Sequence, residues 1–437
     1  MDVKNKTITV VGLGNSGVNA CLLLAGAGAI VRATDSGNSD AVRSVEKSLE
    51  SKGISVETGQ HTEGFIKGSE LVLVSPGIEE SSPPVRWAVK SGIPIIGEME
   101  LGYRFCKGRI IAITGTNGKS TVTTLTGQIL KAAGLDTVVC GNIGNSLCGE
   151  ISKIGKDTWV VLEVSSFQLE RIELFKPHIA IILNIRDDHM DRYARFGDYF
   201  NEKLKIFRNQ DTDDFLILNG DAEELKDICN GRPGLKPPCS RVLFYGRTSA
   251  GDRPYDTKLR GLHNVENILA CALAAKLAGV GDASIRRTVS NFKGLAHRFE
   301  TVDTIDGIDY IDDSKGTTVD STYRALESCD RPVILIAGGK DKHSDYSAIR
   351  DIAGRKVRKA VLIGEARGAI RSALEGVVEM VEAKDMYEAV SLAHSFAGAG
   401  SLILLSPMCS SFDMFGSYKE RGEVFREAVK RLKVNRV

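Results

Sequence analysis

Ile110-Ile-Ala-Ile-Thr-Gly-Thr-Asn-Gly-Lys-Ser-Thr121 joins a strand, a glycine turn and a helix start without a break. The run before Thr114 is apolar and β-branched, as a strand covered on both faces should be. Gly115-Thr-Asn-Gly-Lys-Ser-Thr121 can cradle polyphosphate on its backbone N–H groups. Lys119 would then lie near the β- and γ-phosphates, with the Ser120 or Thr121 hydroxyl on Mg²⁺. Val122, Leu125, Ile129, Leu130 and Ala133 recur at helical spacing, and Gly134 ends the pattern. The common form of this loop carries a glycine five residues before its last one, and Ile113 stands there. The loop is therefore a variant. A ligand-free glycine turn is the plainer alternative, but the flanking strand and amphipathic helix favour an ATP site.

Outward from that loop, strand-like runs alternate with helical segments along all 437 residues, so parallel sheets are expected. They fall into three α/β blocks, with strands near 7–12, 30–35, 71–75 and 94–96, then 109–113, 158–163, 179–185, 215–218 and 242–245. The third block has them near 308–311, 332–337, 360–363, 377–381 and 401–405. Seams are expected at Gly97–Gly108 and Gly294–His297, giving domains 1–97, 98–294 and 295–437. One core could not serve such a length. A composition 42% hydrophobic and 26% charged is that of an ordinary globular protein. Net charge +1 offers no electrostatic case for nucleic acid or an anionic membrane. Nine scattered cysteines without a C-x-x-C pair favour reduced thiols over disulfides or zinc. No signal-peptide core follows Met1, and no apolar run approaches the ~18 residues of a membrane span. A cytoplasmic enzyme, acting as a monomer, is the expectation.

Gly12-Leu-Gly-Asn-Ser-Gly17 follows the strand Ile8–Val11, and Asp35 closes the next strand. That is the dinucleotide fingerprint, glycines for the turn and an acid for a ribose hydroxyl. NAD(P) is one reading. A complete dinucleotide fold wants about six strands, however, and the block has room for one mononucleotide-sized half. Ser75-Pro-Gly77 ends another strand and could add donors. A nucleotide diphosphate outside redox chemistry fits better, against the plain alternative of unliganded turns.

Thr158-Trp-Val-Val-Leu-Glu163 ends a buried-type strand in an acid, where a carboxylate beside the loop could hold Mg²⁺. His189 follows the strand Ile179–Ile185 among three acids, a setting that favours function over simple structure. Lys203, in Asn201-Glu-Lys-Leu-Lys-Ile-Phe207, reads by itself as a solvated helix residue.

Several longer motifs resemble those of the Mur ligases, the ATP-dependent amino-acid ligases of peptidoglycan synthesis, and the likeness runs through all three blocks. They are Thr114–Thr121, Gly141-Asn-Ile-Gly144, Glu163-Val-Ser-Ser-Phe-Gln-Leu-Glu170, Asp188-His-Met-Asp-Arg-Tyr193, Gly261-Leu-His-Asn264 and His297-Arg-Phe299. Asp312-Asp-Ser-Lys-Gly-Thr317 and Ser406-Pro-Met-Cys-Ser-Ser-Phe-Asp-Met-Phe415 resemble the D-glutamate-adding branch, and the Asn-Pro-Arg of the diaminopimelate-adding branch is missing. The resemblance implies an α/β protein of three domains: Rossmann-like, P-loop-type ATPase and Rossmann-like. It implies UDP-N-acetylmuramoyl-L-alanine, D-glutamate and ATP as substrates, with two Mg²⁺ ions, and an acyl phosphate between them.

By the same resemblance, Gly14, Asn15, Ser16, Asp35, Ser75, Pro76, Gly77 and Asn142 contact the UDP substrate. Gly115, Thr116, Asn117, Gly118, Lys119, Ser120, Thr121, Asn267, Arg298 and Asp313 bind ATP. Ser120, Glu163, His189 and Lys203 hold the ions, Lys203 as an N-carbamate, which turns a cation into an oxygen ligand. Lys315, Thr317, Ser411 and Phe412 form the amino-acid pocket, and Lys342 touches product or phosphate more convincingly than Lys340. Gly37 and Asn38 stand where an arginine often packs on the uracil. The rival readings are another amino-acid ligase, an NAD(P) oxidoreductase built on Gly12–Gly17, and an ATP-binding module without chemistry.

Overall fold

The computed structural model describes residues 1–434 apart from 187, 189–191, 194, 231–235, 251–253, 260 and 343. Strands β1 (Thr7–Val11), β2 (Ile30–Asp35), β3 (Ser55–Thr58), β4 (Leu71–Val74) and β5 (Ile95–Gly97) form a parallel sheet ordered β3-β2-β1-β4-β5. A second parallel sheet holds β6 (Arg109–Thr114), β7 (Thr137–Gly141), β8 (Trp159–Glu163), β9 (Ile179–Ile182), β10 (Phe215–Asn219) and β11 (Arg241–Tyr245). Its order is β11-β10-β9-β6-β8-β7. The third contains β12 (Glu300–Ile305), β13 (Ile308–Asp312), β14 (Val333–Gly338), β15 (Val357–Ile363), β16 (Glu379–Glu382) and β17 (Leu402–Leu405). It runs β12-β13-β17-β14-β15-β16, parallel except for the antiparallel pair β12–β13.

The three α/β blocks are thus present, and the strands that the hydrophobic pattern missed are β3, β7 and β12. Each is a sheet edge. Central strands such as β8 and β9 are buried along their whole length and read as apolar runs. Ser55-Val-Glu-Thr58 and Glu300-Thr-Val-Asp-Thr-Ile305 mix polar and apolar residues because a single neighbour and partial cover suffice at an edge.

Six helices matter below: α1 (Asn15–Gly26), α2 (Asp40–Glu50), α3 (Glu98–Phe105), α4 (Lys119–Ala132), α5 (Phe196–Leu204) and α6 (Tyr418–Val434). Among the described residues, no helix is long and apolar enough to cross a membrane. The chain divides into two compact units. The first comprises Met1–Ile185, Phe196–Gly251 and Asn267–Thr288 and carries the first two sheets. The second comprises Arg186–Arg195, Asp252–Glu266 and Val289–Val437 and carries the third.

Gly97–Gly108, expected as a seam, is filled by α3. The Glu98 carboxylate accepts from Cys148 N at 2.7 Å, and its burial raises its pKa. Glu100, 0% exposed, accepts from the backbone N–H groups of Glu173, Leu174 and Phe175 at 3.0 Å each, and from Arg104 Nε at 2.8 Å. The helix after the first sheet is therefore locked onto the loops of the second.

Candidate active site

β6 ends at Thr114, and the chain turns at Gly115 before α4 begins at Lys119. Ile113, standing where a glycine is usual, is a fully buried strand residue paired with Glu163 of β8, so the turn has simply moved past it. Gly118 precedes α4 at φ 86°, and a Cβ there would lie 2.4 Å from Asn267 Oδ1. Only glycine fits, and the Asn267 side chain rests directly on the loop. Asn184, just past β9, clamps the same loop: its O accepts from Thr116 N at 2.9 Å, and its amide exchanges two bonds with the Asn117 backbone. Lys119 Nζ folds back onto Gly115 O and Thr116 O, both at 2.8 Å. Ser120 and Thr121 are buried in the first turn of α4.

One strand over, Glu163 ends β8 with its side chain 2% exposed. Its Oε1 accepts from Asn142 Nδ2 at 2.8 Å, while its Oε2 is buried with no hydrogen-bond partner. A buried carboxylate oxygen left open in this way is a ready ligand for a hard divalent cation. Among the described residues no group of three or more His, Cys, Asp or Glu could hold a metal. The open Glu163 oxygen fits Mg²⁺, which typically takes one or two carboxylates and completes its shell with phosphate and water oxygens.

Lys203 is 1% exposed, so its appearance as a solvated helix residue was misleading. Its Nζ donates to Gly115 O at 2.9 Å and sits 4.7 Å from the centre of the Tyr199 ring. Tyr199 lies one helical turn earlier on α5, and its hydroxyl bonds Thr116 Oγ1 at 3.1 Å. Two lysine ammonium groups thus meet on one carbonyl oxygen of the loop. His189 lies outside the described residues.

In the first sheet, the strand order reverses between β1 and β4, the point where parallel sheets open a crevice. Gly12 and Ser75 follow those two strands, and Ser75 Oγ donates to Gly12 O at 2.9 Å. A Cβ on Gly17 would lie 1.8 Å from Gly12 O, so α1 can rest on the turn only through glycine. Gly14 and Asn15 are exposed and Ser16 half-buried at the start of α1, suited to an anion. Asp35 accepts from Leu13 N at 2.6 Å and Gly37 N at 2.8 Å, so it also braces the turn. Beside Gly37 and Asn38, an arginine does arrive from α2: Arg43 Nε donates to Asn38 O at 3.1 Å. Ser75 and Pro76 share a narrow cleft with Phe167, Gln168 and Arg171, just beyond Glu163, while Gly77 is exposed.

In the second unit, Asp313 follows β13 and accepts from Phe299 N at 3.2 Å and Ser406 Oγ at 2.8 Å. Burial pushes its carboxyl up to about 7 despite the nearby Arg298 charge. Lys315 Nζ lies 4.1 Å from the centre of the Tyr418 ring, and Thr317 N donates to Lys315 O at 2.8 Å. Ser411 is buried, whereas Phe412 is 73% exposed. Lys340 pairs with Glu365 at 2.7 Å, and Lys342 is half-buried.

Family descriptions cover most of the chain: a Mur ligase MurD-like N-terminal domain over residues 6–97, a Mur ligase middle domain over 113–253 and a Mur ligase glutamate ligase domain over 297–409. The UDP-N-acetylmuramoylalanine–D-glutamate ligase of Koribacter versatilis is 42% identical, with 99% of each chain covered. That of Geotalea daltonii is 41% identical over the same shares. The chain belongs to the Mur ligase family. The solved structure of the UDP-N-acetylmuramate–alanine ligase MurC from Thermotoga maritima shares its fold at 19% identity and TM-score 0.61, covering 98% of this chain and 99% of that one. The MurF ligase from Thermotoga maritima in complex with ADP does so at 13% identity and TM-score 0.59, over 98% and 96%.

This Mur ligase also carries site residues that its sequence left silent. Asn184, Tyr199 and Tyr418 each touch a residue singled out above. Only Tyr199 had a signal, its spacing of four from Lys203 on one helix face. The other two meet their partners through tertiary folding alone.

Proposed function

We propose that this Mur ligase joins UDP-N-acetylmuramoyl-L-alanine to D-glutamate through an amide bond at the expense of ATP. The observation that carries the reading is its likeness, at 41–42% identity over 99% of both chains, to ligases named for those substrates. The substrate carboxylate attacks the γ-phosphorus, the bond to the ADP oxygen breaks, and an acyl phosphate forms. The free amine of D-glutamate then adds to that carbonyl, loses a proton, and inorganic phosphate departs as the amide closes.

The obstacle is the approach of two anions. At 4 Å, unit charges repel by about 4 kcal/mol at an effective dielectric constant of about 20. The chain answers with a fixed cation, Lys119, and with the backbone amides of Gly118 to Thr121 at the N-terminus of α4, on a loop whose shape is held by Asn184 through the amides of Thr116 and Asn117. When bound, Mg²⁺ adds charge neutralisation across the phosphates, held by Ser120, Glu163, His189 and Lys203. Lys203 fits that set as an N-carbamate. The carbamate nitrogen keeps one N–H for Gly115 O, and the crowding of two cations on that oxygen disappears. Labelling with ¹³C-bicarbonate should then give a carbamate carbon signal that Lys203→Met lacks.

Asn267, Arg298 and Asp313 complete the ATP site in this reading. Gly14 to Ser16, Asp35, Ser75 to Gly77 and Asn142 hold the UDP substrate, and Lys315, Thr317, Ser411, Phe412 and Lys342 receive D-glutamate. The domains run 1–97, 98–294 and 295–437, in a cytosolic monomer. The test is to supply UDP-N-acetylmuramoyl-L-alanine, Mg²⁺-ATP and one of D-glutamate, L-glutamate, L-alanine or L-lysine, and to weigh the products. Phosphate release and a glutamyl adduct with D-glutamate alone are expected. Equal turnover with another amino acid would overturn the substrate, and hydride transfer without ATP use would overturn the class.

A further inference from the structure

Tyr418-Lys-Glu-Arg-Gly422 opens α6 and reads as a solvated, charged helix turn. Arg421 is nevertheless 0% exposed. Four of its five N–H donors are used: Nε on Ser314 Oγ at 2.9 Å, Nη2 on Ser314 O at 2.8 Å, and Nη1 on Cys409 O and Ser410 O at 3.1 and 3.2 Å. Its acceptors are carbonyl and hydroxyl oxygens, and it forms no ion pair among the described residues. Burial lowers its pKa to about 10, so it remains a cation at neutral pH. Asp413, Asp312 and Asp313 favour its charge from a distance, yet burial outweighs them, and a hydrophobic residue would fill the space more cheaply.

What it joins is the point. Ser314 immediately precedes Lys315 beyond β13, and Cys409 and Ser410 immediately precede Ser411 beyond β17. Those strands are neighbours in the third sheet. On the other side of β17 lies β14, whose following turn reaches the same place: Lys340 N donates to Ser410 O at 2.9 Å. A Cβ on Gly339 would lie 3.1 Å from Arg421 Nη1, so that turn closes tightly over the guanidinium. Three adjacent strand ends are gathered on one planar fork, a geometry a lysine cannot reproduce.

We infer that Arg421 is a positioning residue of the amino-acid pocket, setting the spacing between the loop of Lys315 and Thr317 and the loop of Ser411 and Phe412. This rests on the pocket assignment made under the proposed function. The incoming amino acid is a dicarboxylate whose two acid groups must be met at a fixed separation, so the spacing of the loops decides how well it binds. Misplacement by about 1 Å can cost on the order of a hundredfold.

The test compares Arg421→Lys and Arg421→Ala with the unsubstituted enzyme, whose turnover on D-glutamate is measured first. Lack of that turnover would sink the proposed function and leave the structural hub to be tested on the amino acid the enzyme does use. For Arg421→Lys, KM for D-glutamate should rise about tenfold or more, the scale of losing a hydrogen bond to a charged group. KM for the UDP substrate should stay within about twofold, because the residues assigned to it lie on loops that Arg421 does not touch. Added guanidinium chloride should restore the D-glutamate KM of Arg421→Ala where equal sodium chloride does not. An unchanged D-glutamate KM in Arg421→Lys, or a parallel rise in both KM values, would overturn the inference. Should Arg421→Ala fail to fold, Arg421→Lys decides alone.

Discussion

Lys119 donates to two carbonyls of the loop that it serves, those of Gly115 and Thr116, and a γ-phosphate would take the place of those partners. Lys119→Ala should therefore leave the fold intact while lowering D-glutamate-dependent phosphate release by about 10²–10³, the scale for losing one preorganised charge-stabilising donor. Equal circular dichroism spectra would check the fold. Asp313 offers a second handle, because burial raises its pKa to about 7 in the folded chain. In the unfolded chain a carboxyl titrates near about 3.9. Between those values the folded protein holds a proton that the unfolded chain has released. The stabilisation is full below about pH 4 and is lost as pH rises through about 7. Urea denaturation of the wild type relative to Asp313→Asn should show a stability difference falling by a few kcal/mol over that window, then levelling. A difference that stays flat from pH 4 to 8 would contradict the raised value.

At the scale of elements, α3 shows how a helix can look like a boundary and act as a clamp. Glu98 and Glu100 sit in its first turn, where acids are usual on electrostatic grounds, so the sequence carried no hint that both are buried. Removing the Glu100 carboxylate strands three backbone donors and takes from Arg104 one of its two acid partners, leaving Glu173. Glu100→Ala should cost about 3–5 kcal/mol in urea denaturation, the range for breaking a buried charged network. A loss under 1 kcal/mol would mean that the 173–175 loop finds other acceptors. Gly17→Ala tests the other close contact, since its methyl group would overlap Gly12 O. It should weaken binding of the UDP substrate and leave Mg²⁺-ATP affinity alone, as titration calorimetry can measure.

For the whole molecule, ligands of separate sheets should stabilise through separate linkages. A ligand at a hundred times its Kd adds about 2.7 kcal/mol to the unit that binds it. Thermal unfolding with the UDP substrate should rise equally in wild type and Lys119→Ala, while the shift with Mg²⁺-ATP should shrink in the variant. Loss of both shifts together would mean that the crevice between β1 and β4 and the loop of α4 are one site.

The three α/β blocks, the phosphate loop and Glu163 at the end of its strand could be read from the chain itself. Apolar runs, glycines and a terminal acid are local signals, produced by burial on both faces and by turn geometry. Of the edge strands, β5, β11 and β16 could be read too, whereas β3, β7 and β12 could not; β3 and β12 mix polar and apolar residues without a clean period. Nor could the fates of Lys203, Glu100 and Arg421, three charges with the spacing of surface helix residues. Whether such a side chain meets water or a ring of carbonyl and amide groups depends on segments up to 107 residues away, as between Arg421 and Ser314. Local pattern carries no record of such partners, and only the packed chain supplies them.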